Sequence, residues 1–125
     1  RGDDPPAWLA GWQGDGIMAR IETPKIAQAI RRAKLPAVDL SAAGLVPTLP
    51  WVETDDTLIA NVAAEHFLER GFKHFAYCGD SRFNWSRWRE QQFAQQVRAA
   101  GYDCRVYSAK GGAGDLAAGS RALVR

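Results

Sequence analysis

Cysteine is scarce in this sequence. Cys78 and Cys104 are the only two, and neither has a second cysteine or a histidine at ligand spacing, which excludes the CxxC frameworks of structural zinc and dithiol chemistry. Both lie in apolar, strand-like runs, so the sequence predicts buried free thiols and no metal site. There are also only two histidines: His66 falls on the apolar face of a helix and reads as a core histidine, and His74 opens a strand with nothing to pair with. Long hydrophobic runs are missing. No stretch approaches the ~20 apolar residues of a membrane helix, and Arg1-Gly2-Asp3-Asp4-Pro5-Pro6 has neither the basic start nor the apolar stretch of a secretion signal. The expectation is a cytoplasmic protein with no membrane partner. An excess of one charge is missing too. The net charge is +2, and the sixteen lysines and arginines are interspersed with fourteen acids, so there is no electrostatic footprint for nucleic acid. Phosphate loops are absent as well, because no Lys-Ser/Thr follows Gly14-Asp15-Gly16 or the glycine-rich tail.

What is present is a globular balance: 125 residues, 46% hydrophobic and 24% charged, enough for one domain or parts of two. Gly16 to Ile21 is an apolar run that reads as a strand buried on both faces. Thr23 then caps a helix with Pro24 in its first turn and Ile26, Ile30 and Ala33 at helical spacing, stopped by Leu35-Pro36. Ala37 to Leu40 is a second strand, 41–50 a loop, and Trp51-Val52-Glu53 a brief strand. A further helix starts at Asp55 or Asp56, with Ile59, Val62, Ala63, His66 and Phe67 on one face and Gly71 as its stop. His74 to Gly79 is a strand, a helix carries Phe93, Ala94, Val97 and Ala100, and Asp103 to Tyr107 is another strand. This alternation predicts an α/β fold, a parallel sheet flanked by helices. From 109 to 125 the periodicity lapses, and a poorly ordered tail is expected.

In such a sheet, ligands sit beyond the carboxyl ends of the strands. Three segments leave a strand there with polar residues in hand: Arg20-Ile21-Glu22, Thr54-Asp55-Asp56, and Asp80 to Arg89. The acids at 55 and 56 suit hydroxyl acceptors, a metal site or a catalytic pair, or simply cap the next helix. No His or Glu nearby completes a metal set, and no phosphatase or phospho-receiver constellation surrounds them, so no catalysis, metal or cofactor is expected. The stretch FNWSRWREQQF, residues 83–93, gathers aromatics and arginines where a loop should be. Arg89 falls in the first turn of the predicted helix, where a cation opposes the macrodipole at a cost of a few tenths of a kcal/mol. Trp85 and Trp88 are either packing residues or rings that cover the C–H face of a sugar, beside an arginine that serves its hydroxyls.

Several segments together resemble a known family: Gly14-Asp15-Gly16-Ile17-Met18-Ala19, Lys34-Leu35-Pro36-Ala37-Val38, Thr54-Asp55-Asp56, Ala64-Glu65-His66-Phe67-Leu68-Glu69-Arg70-Gly71-Phe72, and Arg89-Glu90-Gln91-Gln92-Phe93. In order and spacing they resemble the ligand-binding region of xylose operon regulators, in the superfamily of the lactose repressor and type I periplasmic sugar-binding proteins. The resemblance runs from about Ala7 to Tyr107. It implies a bilobed sensor with a monosaccharide, D-xylose or a similar pentose, between its lobes. Residues 1–72 would belong to the first lobe and 73–108 to the second, with the crossover near Phe72-Lys73. It matches Arg89 to the arginine that grips the effector and Asp55 to the acid after the preceding strand, while Asp56 stands where many relatives carry Asn. Trp85 or Trp88 would stack on the sugar, and Arg20 and Glu22 are candidates from the first lobe. The chain then looks like an internal fragment, with DNA bound only through modules of the parent protein, and pairing into a homodimer is expected to cover its open edges. The rival of the same fold is a periplasmic sugar-binding protein of a transporter.

Overall fold

The computed structural model describes residues 4–109. A short 3-10 helix, Ala7–Gly11, precedes β1 (Ile17–Ala19), α1 (Pro24–Ala33), β2 (Ala37–Asp39), α2 (Asp56–Glu69), β3 (Phe75–Asp80), α3 (Asn84–Ala99) and β4 (Cys104–Ala109). Both strand pairs are parallel: Ile17, Met18 and Ala19 face Ala37, Val38 and Asp39, and Phe75 to Asp80 pair in register with Cys104 to Ala109. The helix between the strands of each pair is the crossover that parallel pairing requires. The expected α/β alternation is therefore present twice.

The chain forms two compact units, Arg1–Glu53 and Thr54–Arg125. The lobe crossover was expected near Phe72-Lys73; the division by compactness falls earlier, because α2 packs against α3 and so shares its unit. The tail expected over 109–125 lies, beyond Ala109, outside the described residues.

In the first unit, the Thr23 side chain accepts from Ile26 N and Pro24 fills the first turn of α1. Losing this cap is expected to cost about 1 kcal/mol in Thr23→Ala, measurable as a lower urea midpoint. The core holds Leu9, Ile21, Ala27, Ile30, Ala37 and Val46. Asp39, buried at the end of β2, ties it together. Its Oδ1 accepts from Ile21 N at 3.2 Å, Ser41 N at 2.9 Å and Ser41 Oγ at 2.8 Å. Two expectations change here. Met18 is 74% exposed, so β1 is not buried on both faces: among the described residues it pairs with β2 alone. The strand at 51–53 is a single bridge, Asp39 to Trp51.

In the second unit, Ala60, Ala64, Phe75, Phe93, Ala94, Val97 and Cys104 form the core. The buried stripe of α2 is Asp56, Ala60 and Ala64, one step around the helix from the expected face of Ile59, Val62, Ala63, His66 and Phe67, of which Ala63 packs half-buried against the core and Phe67 meets Phe93. Small side chains at positions 60 and 64 let α2 lie close to α3, which turns Val62 outward at 57% exposure. His66 turns out with them; it is exposed and its Nδ1 meets Arg70 Nη1 at 3.0 Å, so it is not a core histidine. Ala100 is the exposed C-cap of α3. Both thiols are free as expected, but only Cys104 is buried; Cys78 is exposed, because β3 alternates and position 78 falls on its outer side. Burial raises the Cys104 thiol pKa above its ordinary value.

Candidate functional site

The quoted stretch 83–93 is not a loop. Phe83 is extended, with φ −108 and ψ 133, and α3 begins at Asn84, so Arg89 stands in the second turn and escapes most of the dipole penalty assigned to the first. The turn from β3 into α3 is tight because Ser86 is folded under it. Ser86 Oγ accepts from Asp80 N at 2.9 Å, and Tyr77 Oη donates to Ser86 O at 2.9 Å. A Cβ on Gly79 would lie 2.5 Å from the Tyr77 ring and 2.7 Å from Ser86 Oγ, so only glycine lets the helix start this close to the strand end. That placement presents Trp85 and Arg89 to the start of α2.

Arg89 is the centre of the corner that results. Its Nε donates to Asp56 Oδ1 at 2.6 Å and its Nη2 to Thr54 Oγ1 at 3.2 Å. Its Cζ lies 5.0 Å from the Trp85 ring centroid. Phe83 stacks on Trp85 at 5.6 Å between ring centroids, with an interplanar angle of 18°. The side chains of Arg89 and Asp56 are 30% and 4% exposed, so the cation reaches solvent and its carboxylate partner does not. Asp56 Oδ2 is closed off from solvent with no hydrogen-bond partner, while Oδ1 also accepts from Thr54 Oγ1 at 3.3 Å. A hydrogen bond from Gln92 Nε2 to Asn61 Oδ1 at 2.9 Å fixes α3 to α2 one turn further on.

The two acids have separated into different roles. Asp55 is the N-cap of α2 and accepts from Leu58 N at 2.9 Å. Asp55→Ala is therefore expected to cost about 1 kcal/mol of unfolding free energy and Asp55→Asn only a fraction of it, since asparagine caps as well; thermal melts of the two variants check this. Asp56 instead anchors Arg89 from within. Trp88, on α3, is exposed and takes no part in the bonds and ring contacts around Arg89. Asp80, which ends β3, pairs with Arg82; the hydrogen bonds from Arg82 hold its carboxyl below the ordinary value. A lowered carboxyl pKa stabilises the folded state above the unfolded value and is lost as pH falls through the folded one. In the first unit Arg20 Nη2 binds Glu22 Oε1 at 2.7 Å, and this hydrogen bond raises the Arg20 pKa. The predicted residues thus form two sets, Arg89 with Asp56 and Trp85, and Arg20 with Glu22.

Thr54 belongs to one of the three candidate segments but carries no assigned role there, and Phe83 is not among the candidates. A threonine 35 positions from Arg89 leaves no periodic signal, and Phe83 reads as an anchor until the stacking is seen. What the corner can do is offer one partly exposed guanidinium, oriented on three sides, to a ligand rich in hydrogen-bond acceptors.

A family model of the periplasmic binding protein-like domain matches residues 64–124. Among solved structures, a periplasmic binding protein/LacI transcriptional regulator from Alkaliphilus metalliredigens, complexed with D-xylulofuranose, superposes with a TM-score of 0.67 at 15% identity over 83% of this chain and 38% of that one. The chain thus has the α/β fold of periplasmic-binding-protein-like domains, its parallel strands flanked by helices. Within that class it is similar to xylose operon regulatory proteins. It is 30% identical over 106 residues to the xylose operon regulatory protein of Escherichia coli K12, covering 79% of this chain and 27% of that protein. The structure of a xylose-binding transcription activator superposes with a TM-score of 0.64 at 30% identity over 78% of this chain and 27% of that one. The chain spans about a quarter of the length of the curated relatives it matches.

Proposed function

We propose that this chain is the effector-binding segment of a cytoplasmic transcription regulator that senses a monosaccharide, D-xylose or a similar pentose, and has no catalytic activity of its own. The observation that carries the reading is the Arg89 corner: a cation held by Asp56 and Thr54 and left open on one side, in a chain 30% identical to xylose operon regulators. Arg89 donates to the sugar hydroxyls. Because Asp56 already neutralises it, the corner suits a neutral polyhydroxyl ligand better than a sugar phosphate. Arg20 and Glu22 serve as a second donor and acceptor set. The sugar shifts the population of DNA-binding states because it binds one conformation of the regulator better than the other. DNA is bound through modules of the parent protein outside this segment, and the segment pairs with a second copy of itself to cover its open sheet edges.

Calorimetry on the full-length protein with pentoses and hexoses tests the reading. A pentose, D-xylose first, is expected to bind more tightly than any hexose; absence of heat from every monosaccharide at millimolar concentration would overturn it.

A further inference from the structure

An indole beside an arginine in a sugar site suggests a stacking platform for the ring of the ligand. The geometry here is different. Arg89 covers the Trp85 ring at 5.0 Å from its centroid, and Phe83 stacks on the same indole at 5.6 Å and 18°. Arg89 takes up indole surface that a sugar would need, and the cation cannot leave without giving up its bonds to Asp56 and Thr54. A guanidinium over an indole gains about 0.5 to 2 kcal/mol, more as the pair loses water, which sugar C–H contacts would have to replace.

We propose that Trp85 is a positioning residue: in contact with Phe83, it holds the Arg89 guanidinium in the plane that Asp56 and Thr54 define, and the ligand meets the arginine instead of the indole. Phe83 and Arg89 both contact the Trp85 ring, near the start of α3 that the Gly79 and Ser86 turn sets. Asp56 fixes the Nε edge of the guanidinium and Thr54 fixes Nη2, which leaves Nη1 for the ligand. Trp85 supplies the third constraint, the tilt of the plane. The effect on sugar affinity rests on the reading of the corner as a sugar site; the ordering of Arg89 does not.

The test compares Trp85→Phe with Trp85→Leu in the full-length protein, with D-xylose as the probe and with the Arg89 Nε–Hε signal followed by nitrogen-15 NMR before and after sugar is added. Phenylalanine keeps a π face and leucine does not. Trp85→Phe is expected to bind D-xylose within about 3-fold of the wild type and Trp85→Leu about 10-fold more weakly. In the sugar-free protein the Arg89 signal should stay sharp and slowly exchanging in Trp85→Phe, and broaden in Trp85→Leu. Trp85→Met serves the same comparison if leucine disturbs folding. The proposal is overturned if the Arg89 signal is unchanged in the leucine and methionine variants. It is equally overturned if phenylalanine weakens binding as much as leucine while that signal stays intact, which would mean direct contact between indole and sugar. A wild type that binds no sugar, but whose Arg89 still loosens in Trp85→Leu, would sink the sugar reading and leave the positioning role standing.

Discussion

Arg89→Ala is expected to weaken binding of the preferred monosaccharide by roughly 10- to 150-fold, the equivalent of the 1.5 to 3 kcal/mol that a hydrogen bond to a charged donor contributes in a desolvated site. The same substitution acts on folding. Asp56, 4% exposed in its side chain, would lose its ion pair while its Oδ2 already lacks a partner, and an unsatisfied buried group costs about 1 to 3 kcal/mol. Since Arg89 is itself partly exposed, water enters the gap and the lower end of that range is expected. Arg89→Lys separates the two effects. The ammonium can restore charge opposite Asp56 but cannot serve Asp56, Thr54 and a ligand together from one plane. Stability should return further than affinity does, read by urea unfolding and by calorimetry on the same preparations.

Phe93→Ala is expected to cost about 3 to 5 kcal/mol, within reach of the whole stability of a small domain. Phe93 is 6% exposed, and its ring stands edge-on or tilted to Phe67 at 6.4 Å, Phe75 at 6.4 Å and Tyr77 at 6.2 Å. It joins α3 to α2 and to β3, so its removal opens a cavity where three elements meet. Phe93→Leu fills most of that volume and should lose much less. In a urea titration the alanine variant should show a second unit already partly unfolded without denaturant.

The elements were legible wherever local chemistry decides them. Thr23-Pro24 announced α1, and Asp55 and Gly71 bracket α2 as read, with Gly71 at φ 74. The facing of α2 was legible only in part, through Ala63 and the ring of Phe67. A periodic set that includes Ile59, Val62 and Phe67 looks like the core side, yet close approach to α3 selects Ala60 and Ala64. Partner choice of this kind is decided by the second helix, and hydrophobicity along the first does not encode it. The start of α3 was missed for a related reason: aromatics and arginines suggested a loop, while the device that starts the helix is the packing of Ser86 against Gly79 and Asp80. Arg89 and Asp56 were both singled out, but their pairing across 33 positions appears only once α2 and α3 lie side by side.

In the proposed sensor Arg89 meets the effector directly. A crystal structure of the full-length protein with bound D-xylose tests it most simply. A sugar hydroxyl oxygen is expected at about 2.7 to 3.2 Å from an Arg89 Nη atom, with Asp56 still on Nε and Trp85 still against the guanidinium. A sugar seated away from Arg89, with the Asp56 and Trp85 contacts of that arginine undisturbed, would contradict it.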